Sequence, residues 1–273
     1  MVKQPQEPSV SVIMPVRNCE RYVEKAIRSI LEQTYTNFEF IIIDDASTDT
    51  TAKIIQRLAE SDKRIVFTSN QTNLGLTKNL NIALRKSRGK FIARMDGDDI
   101  SLPNRFAHQV EFLDAHPEIS IVGTWAQIID GSDKVIGRLE YETKNERIRK
   151  RMIQRSQFIH PSVMFRKEIV ESVGFYDESF RSAQDYEFFP RALTKHKGEN
   201  IPQVLLQYRW DFTQNEGFTS GKKQERNALR ARFRMLTKYG WPAWHVVFLA
   251  KPLISYLVPL SVKKIILRSL AKK

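Results

Sequence analysis

Short apolar runs, each ending in a polar cluster and separated by segments of helical periodicity, restrict this 273-residue chain to few folds. The first run, Ser9 to Val16, stops at Arg17-Asn18. Phe38 to Ile43 is a continuous aromatic and β-branched run, as a strand buried on both faces requires, and it ends in Asp44-Asp45. Arg64 to Ser69 reads as a third strand, and Phe91 to Met95 as a fourth that runs into Asp96-Gly97-Asp98-Asp99. Between the first two, Cys19 to Gln33 shows helical spacing at Tyr22, Val23, Ala26, Ile27, Ile30 and Leu31. Thr50 to Glu60 and Leu76 to Ser87 read as further helices, the latter closed by Gly89 as its cap. Alternation of this kind with short joints predicts an α/β fold, a mostly parallel Rossmann-like sheet covered by helices on both faces. Ligands of such sheets bind beyond the carboxyl ends of the strands, where Pro15 to Asn18, Asp44-Asp45 and Asp96 to Asp99 all fall.

After Asp99 the pattern loosens. Pro103 to Ala115 is expected to be helical, and Ile119 to Ile129 a strand followed by a hairpin turn at Asp130-Gly131-Ser132-Asp133. Arg147 to Arg151 reads as a charged helical piece, and Ile159 to Phe165 as a strand whose Pro161 marks an edge or a bulge. Another helix opens near Ser182 to Phe189. No internal repeat and no low-complexity segment interrupts the chain.

Three carboxylates at one strand end repel one another unless something positive lies among them. A hard divalent cation, Mg²⁺ or Mn²⁺, is the natural partner, since it prefers oxygen ligands and completes its shell with substrate phosphates. Gly97 lets the backbone turn tightly there and admits a bulky ligand. Asp and Gly are also ordinary turn residues, so an isolated Asp-Gly-Asp-Asp would be compatible with a solvated turn. Its coincidence with two other polar clusters favours a site.

Charge is unevenly distributed. Thirteen Lys and Arg lie from Gly221 to Lys273 against the single acid Glu225, so this segment holds +12 of the net +13. A nearly neutral body with a basic tail suits a polyanionic partner, either nucleic acid or an anionic membrane face. Trp241 to Leu260 is apolar but broken by Pro242, Lys251, Pro252 and Pro259, so it suits an interfacial element better than a membrane span. Trp241, Trp244, Phe248 and Tyr256 are its candidate anchors, and Ser261 to Lys273 reads as a basic amphipathic helix. Met1 to Ser9 has no apolar signal-peptide core, and Cys19 is the only cysteine, so a reducing cytoplasm is expected.

The motifs together resemble the nucleotide-sugar glycosyltransferases of family 2, which have the GT-A fold. The matching pieces, in order, are Ser11 to Asn18, Ile41 to Asp49, Asn73 to Asn81, Gly89 to Asp99, Pro103 to Phe106 with Gln109, His160 to Ser162, and Gln184 to Glu187. They span roughly residues 9–215. The resemblance implies a catalytic domain over residues 1–220, with a nucleotide-binding half at 9–100 and an acceptor half at 101–220, followed by the basic tail at 221–273. It implies that Asp45, with Asp44 beside it, reads uracil, and that Pro15, Val16 and Asn18 form the first nucleotide loop. Lys78 and Arg94 would contact base or phosphate. Asp96 and Asp98 would be the metal-motif acids, with Asp98 the direct ligand, Gly97 between them, and Asp99 orienting metal or donor sugar. Asp185 matches the catalytic base of inverting members. Many relatives carry a His shortly after a Tyr-Arg pair; Tyr208-Arg209 is followed by none, leaving Asn215 or water for that position. The Gln/Arg-X-X-Arg-Trp motif of processive synthases is also missing, which argues for addition of one sugar.

The implied chemistry is coherent. A sugar leaves a diphosphate as an acceptor hydroxyl attacks, so charge on the leaving group needs a cation and the hydroxyl needs a carboxylate base on the opposite face. The expected enzyme is therefore a metal-dependent inverting transferase. It would use a UDP-sugar and a glycan or lipid-linked acceptor, at the inner face of the plasma membrane, in bacterial O-antigen, capsule or exopolysaccharide synthesis. Competing readings are a nucleic-acid-binding protein that uses the tail, which has no known nucleic-acid module, and a sugar nucleotidyltransferase, which would normally need a Gly-rich phosphate loop after the first strand.

Overall fold

In a computed structural model, residues 7–210 and 221–257 are described. The alternation seen in the sequence becomes β1 (Val10–Val16), α1 (Val23–Leu31), β2 (Phe38–Asp44), α2 (Thr51–Ser61), β3 (Ile65–Ser69), α3 (Leu76–Lys86) and β4 (Phe91–Arg94). The second half adds β5 (Ile100–Ser101), α4 (Arg105–Ala115), β6 (Ile119–Ile129), β7 (Val135–Leu139), α5 (Asn145–Met152), β8 (Met164–Arg166), α6 (Glu168–Val173), α7 (Gln184–Ala192) and β9 (Lys197–Arg209). Two more helices, α8 (Gly221–Thr237) and α9 (Ala250–Leu257), follow.

One sheet runs in the order β3-β2-β1-β4-β8-β6-β9-β5, with β7 paired to β6. Its first four strands are parallel, while β8 pairs antiparallel with both β4 and β6, and β6 and β9 are parallel. Period-2 alternation distributes the strand residues to two cores. Val10, Val12, Met14 and Val16 share one with α1, α2 and α4; Ile13, Ile41 and Ile43 share the other with α3 and α5 to α8. Because the first four strands are parallel, β1, β2 and β4 bring all three polar clusters to one edge.

Three local readings need correction. Gly89 is not a helix cap: its φ is not positive, and a Cβ there would lie 2.6 Å from the Ser11 nitrogen, so the glycine serves close backbone approach to β1. His160–Ser162 is a 3₁₀ turn and not the start of a strand, which begins only at Met164. Trp241 is 5% exposed, and its Nε1 donates to the Arg149 carbonyl at 3.0 Å, so it belongs to the core and not to a surface anchor.

The chain past residue 220 docks α8 on the body through Ala231 and Met235. Arg234 bridges Asp177 at 2.7 Å and Glu187 at 3.3 Å, and Arg232 donates to the carbonyls of Ile153 and Gln154. Part of the segment's basic character is thus already partnered. Trp244, Val246, Val247 and Leu253 remain exposed. The basic stretch Ser261 to Lys273 lies outside the described residues, and no helix among the described ones is long and apolar enough to cross a membrane.

Candidate active site

The loop after β1 is fixed by the loop after β2. Asn18 adopts a left-handed backbone (φ +48°); its N–H donates to Ser47 Oγ at 3.0 Å, and its Oδ1 accepts the Thr48 N–H at 2.9 Å. Pro15 and Val16 form the buried end of β1. Asp49 accepts the Thr51 N–H at 2.9 Å and so holds the start of α2.

The two acids ending β2 are largely satisfied by the protein. Asp44 Oδ2 accepts the Ser69 hydroxyl at 2.8 Å and the Ser47 N–H at 3.2 Å, while its Oδ1 is buried without a partner. Asp45 Oδ1 accepts the Leu74 N–H at 2.7 Å and Asn70 Nδ2 at 3.1 Å, and its Oδ2 accepts the Gly75 N–H at 2.8 Å. Burial opposes the Asp45 charge, yet these hydrogen bonds hold its carboxyl below the usual range. The Asn73-Leu74-Gly75 turn is built around this carboxylate, with Gly75 at φ +88°. Lys78, in the first turn of α3, is exposed and forms no ion pair among the described residues.

The acids after β4 are a different environment. Gly97 presses on the β1 loop: a Cβ there would meet Val16 Cγ1 at 2.7 Å and Cys19 Sγ at 3.0 Å, so only glycine lets the turn lie so close. Arg94 is buried and ion-pairs with Asp96. Asp99 is 1% exposed; its Oδ1 accepts the Arg209 N–H at 2.7 Å, and its Oδ2 has no partner. Asp96, Asp98 and Asp99 bring carboxylate oxygens within 4.8 Å of one another. Burial and the Asp96 charge push the Asp98 carboxyl up to about 6, and burial with both neighbouring charges pushes Asp99 well above its ordinary value.

Two arginines that the sequence left without a role hold this turn. Arg209 is 3% exposed; it donates from Nε to the Asp98 carbonyl and from Nη1 to the Asp130 carbonyl, each at 2.7 Å, and from Nη2 to Asp133 at 2.5 Å. It ties the acids to the β6–β7 hairpin. Arg105, fully buried, donates to the carbonyls of Pro161 at 2.8 Å and Arg94 at 3.2 Å, and so joins the acid turn to the 3₁₀ turn. A charged residue within an apolar run, as in Leu205-Leu206-Gln207-Tyr208-Arg209, is the signal that could have marked Arg209.

Across a cleft of about 610 Å³ from Arg94 and Asp96 stands Asp185, the second residue of α7, which opens after Ala183 in a left-handed conformation (φ +55°). Burial raises its carboxyl above the ordinary range. His160 also lines the cleft, but its Nε2 lies 3.0 Å from the Tyr176 hydroxyl; burial and the Arg94 charge hold it well below its usual value, which marks it as a neutral structural group. The structure thus gathers Arg94, Asp96 and Asp185 on one cleft and ties Asn18, Asp44 and Asp45 into the adjoining loops. Asn215 lies outside the described residues.

Residues 11–174 match the family described as glycosyl transferase family 2. EpsE of Bacillus subtilis (strain 168) is 33% identical over 261 residues, which cover 93% of this chain and 91% of its own length. The O-antigen biosynthesis glycosyltransferase WbnJ of Escherichia coli is 34% identical over 205 residues, 73% of this chain and 79% of its own. In three dimensions the chain is similar to S. aureus TarS 1-349 in complex with UDP-GlcNAc, with a TM-score of 0.70 at 20% identity, over 91% of this chain and 71% of that one. It spans 43% of the chain in another TarS structure.

Proposed function

Because the chain belongs to glycosyltransferase family 2 and shares its GT-A fold, we propose that it moves one sugar from a UDP-sugar to an acceptor hydroxyl with inversion, at the cytoplasmic face of the membrane, during bacterial surface polysaccharide synthesis. The observation that carries this reading is one cleft lined by Asp185 and by Asp96, which belongs to an under-satisfied cluster with Asp98 and Asp99.

The β4 acids fit a divalent cation. Three carboxylates converge within 4.8 Å, one buried oxygen of Asp99 has no partner, and burial together with the neighbouring carboxylates raises Asp98 and Asp99. Asp98 and Asp96 would hold Mn²⁺ or Mg²⁺ through oxygen, with Asp99 behind them. Such an ion, when bound, supplies charge stabilisation for the leaving diphosphate. The protein's own groups do the remainder. Asp45 Oδ2 accepts one N–H and so keeps capacity for the N–H of uracil. Pro15, Val16 and Asn18 wall the base, with Asp44 supporting Asp45 and Lys78 free to meet base or phosphate. Arg94 pairs with Asp96 beside the diphosphate, and Gly97 lets the acid turn lie against the β1 loop. Asp185 accepts the proton of the attacking hydroxyl, a role its raised affinity for protons suits.

A peripheral position at anionic lipid is supported by the exposed Trp244, Val246, Val247 and Leu253 beside the basic segment, and the acceptor is then lipid-linked or a glycan at that surface. Partnering of Arg232 and Arg234 with the body weakens the case for a nucleic-acid surface.

The test is a panel of UDP-sugars assayed for UDP release with Mn²⁺, Mg²⁺ or EDTA. Release from a subset of donors, only with a divalent ion, is expected. Pyrophosphate release would mark a nucleotidyltransferase instead, and failure of UDP to bind with either ion would overturn the donor assignment.

A further inference from the structure

The cleft that Asp185 lines holds more positive charge than the donor chemistry needs. Four arginines line it: Arg94, Arg155, Arg181 and Arg232. Two are committed to the protein, Arg94 to Asp96 and Arg232 to the carbonyls of Ile153 and Gln154. Arg155 and Arg181 are exposed and have no carboxylate partner among the described residues. The Arg155 guanidinium lies 5.0 Å from the centre of the Tyr141 ring, which restricts its plane. It stands where the cleft meets a second recess of about 310 Å³, since Arg155 and Tyr141 line both. Arg181 lies four residues before Asp185 on the approach to α7.

Two guanidiniums that line one cavity and form no ion pair among the described residues repel, and an anion reaching both relieves that cost. Their planar donor forks match phosphate oxygens bidentately. The donor diphosphate already has its proposed place at the β4 acids, and every proposed nucleotide contact lies within residues 15–99. Arg181 instead leads into α7, which carries Asp185, and Arg155 lies in the turn after α5; both line the same cleft as Asp185. Resting on the proposed donor site, we propose that Arg155 and Arg181 bind a phosphate or diphosphate group on the acceptor, so that the acceptor is a phosphate ester and not a neutral glycan.

The test uses full-length protein saturated with UDP and Mg²⁺, so that the donor site is filled. Binding of farnesyl diphosphate, glycerol 1-phosphate and farnesol is followed by tryptophan fluorescence, since Trp210 lines the cleft. At least one phosphate ester should bind, and farnesol should not bind comparably. Arg155→Gln and Arg181→Gln should each weaken that binding about tenfold, as loss of a charge-assisted hydrogen bond predicts. UDP affinity should stay within about twofold, because neither arginine contacts the donor. Arg181→Lys, which keeps charge without the fork, should recover part of the loss. Preference for farnesyl diphosphate identifies a lipid-borne phosphate; comparable binding of glycerol 1-phosphate identifies a soluble or polymeric one. Equal binding of farnesol, or no binding of either ester to UDP-loaded protein, would overturn the proposal. Equal weakening of UDP and ester in the variants would return both arginines to the donor. Failure of UDP itself to bind the unaltered protein is a separate result, which refutes the donor reading first.

Discussion

Two sets of acids end neighbouring regions of one sheet, and their surroundings set them apart. Asp45, after β2, accepts the backbone N–H groups of Leu74 and Gly75, and its carboxyl is held below the usual range. Asp98 and Asp99, after β4, crowd a third carboxylate and are pushed up. The first set is a framework that holds its charge by itself. The second carries charge that the protein alone does not compensate, apart from the Arg94–Asp96 pair and the Arg209 clamp. Strand-end acids therefore differ in how many protein donors reach them: three hold Asp45 and leave its Oδ2 room for one more, whereas Asp99 accepts one and keeps a buried oxygen without a partner.

The strongest way to break this contrast is Asp98→Asn. Turnover should fall by about 10³-fold or more, on the scale of losing several kcal/mol of transition-state charge stabilisation. UDP binding should weaken only when a divalent ion is present. Unchanged turnover in steady-state assays would remove Asp98 from the metal site. Asp185→Asn comes next, with turnover lowered about 10²-fold or more and UDP affinity within about twofold, as loss of a general base predicts. Equal losses in kcat and in UDP affinity would mark Asp185 as a structural acid. Asp45→Asn should act on the fold as well as on the proposed uracil contact: an amide N–H₂ set against the Leu74 or Gly75 N–H should cost about 1–3 kcal/mol in urea unfolding. A stability unchanged by this substitution would erase the framework reading of the β2 acids.

The sequence revealed the first region far better than the second. Through β4, each strand is a short apolar run and each joint is brief, so local pattern and topology agree, and the strand-end clusters could be located before any coordinates. Past Asp99 that agreement fails. β9 contains Pro202 and several polar residues, and its parallel pairing with β6 shifts register around Trp125, so no clean alternation marks it. β5 is two residues long and exists only because β9 accepts it. Asp185 was legible as the acid of a motif, whereas Arg209 was not: its partners Asp98 and Asp99 lie about 110 residues earlier, a distance local pattern does not span. Arg155 and Arg181 carry no motif, and only the fold brings them into one cleft with Asp185.

The smallest expected effect reads the contrast through pH. In the metal-free protein Asp98 binds its proton up to about pH 6, whereas in the unfolded chain a carboxyl of its type releases it near pH 4. Between those values the folded state holds more protons than the unfolded one, so stability rises as pH falls through the window and is lowest above it. Asp45 has the opposite sign: its contribution is present above about pH 4 and is lost only below it, so it is silent in this range. His160 and the partly buried His196, both held below their usual value, favour the folded state less as the unfolded chain takes up protons, which opposes the Asp98 trend. The comparison is therefore with Asp98→Asn, which keeps the histidines and removes the carboxyl. Thermal melts in EDTA between pH 7 and pH 5 should show the unaltered protein gaining about 2–4 °C relative to the variant, the scale of about 1 kcal/mol for a domain of this size. Saturating Mg²⁺ should cancel or reverse the gain, because its ligands must be ionised. Parallel melting curves for the two proteins in EDTA would show that the β4 acids are as well compensated as those after β2, and the distinction between framework and site would fail.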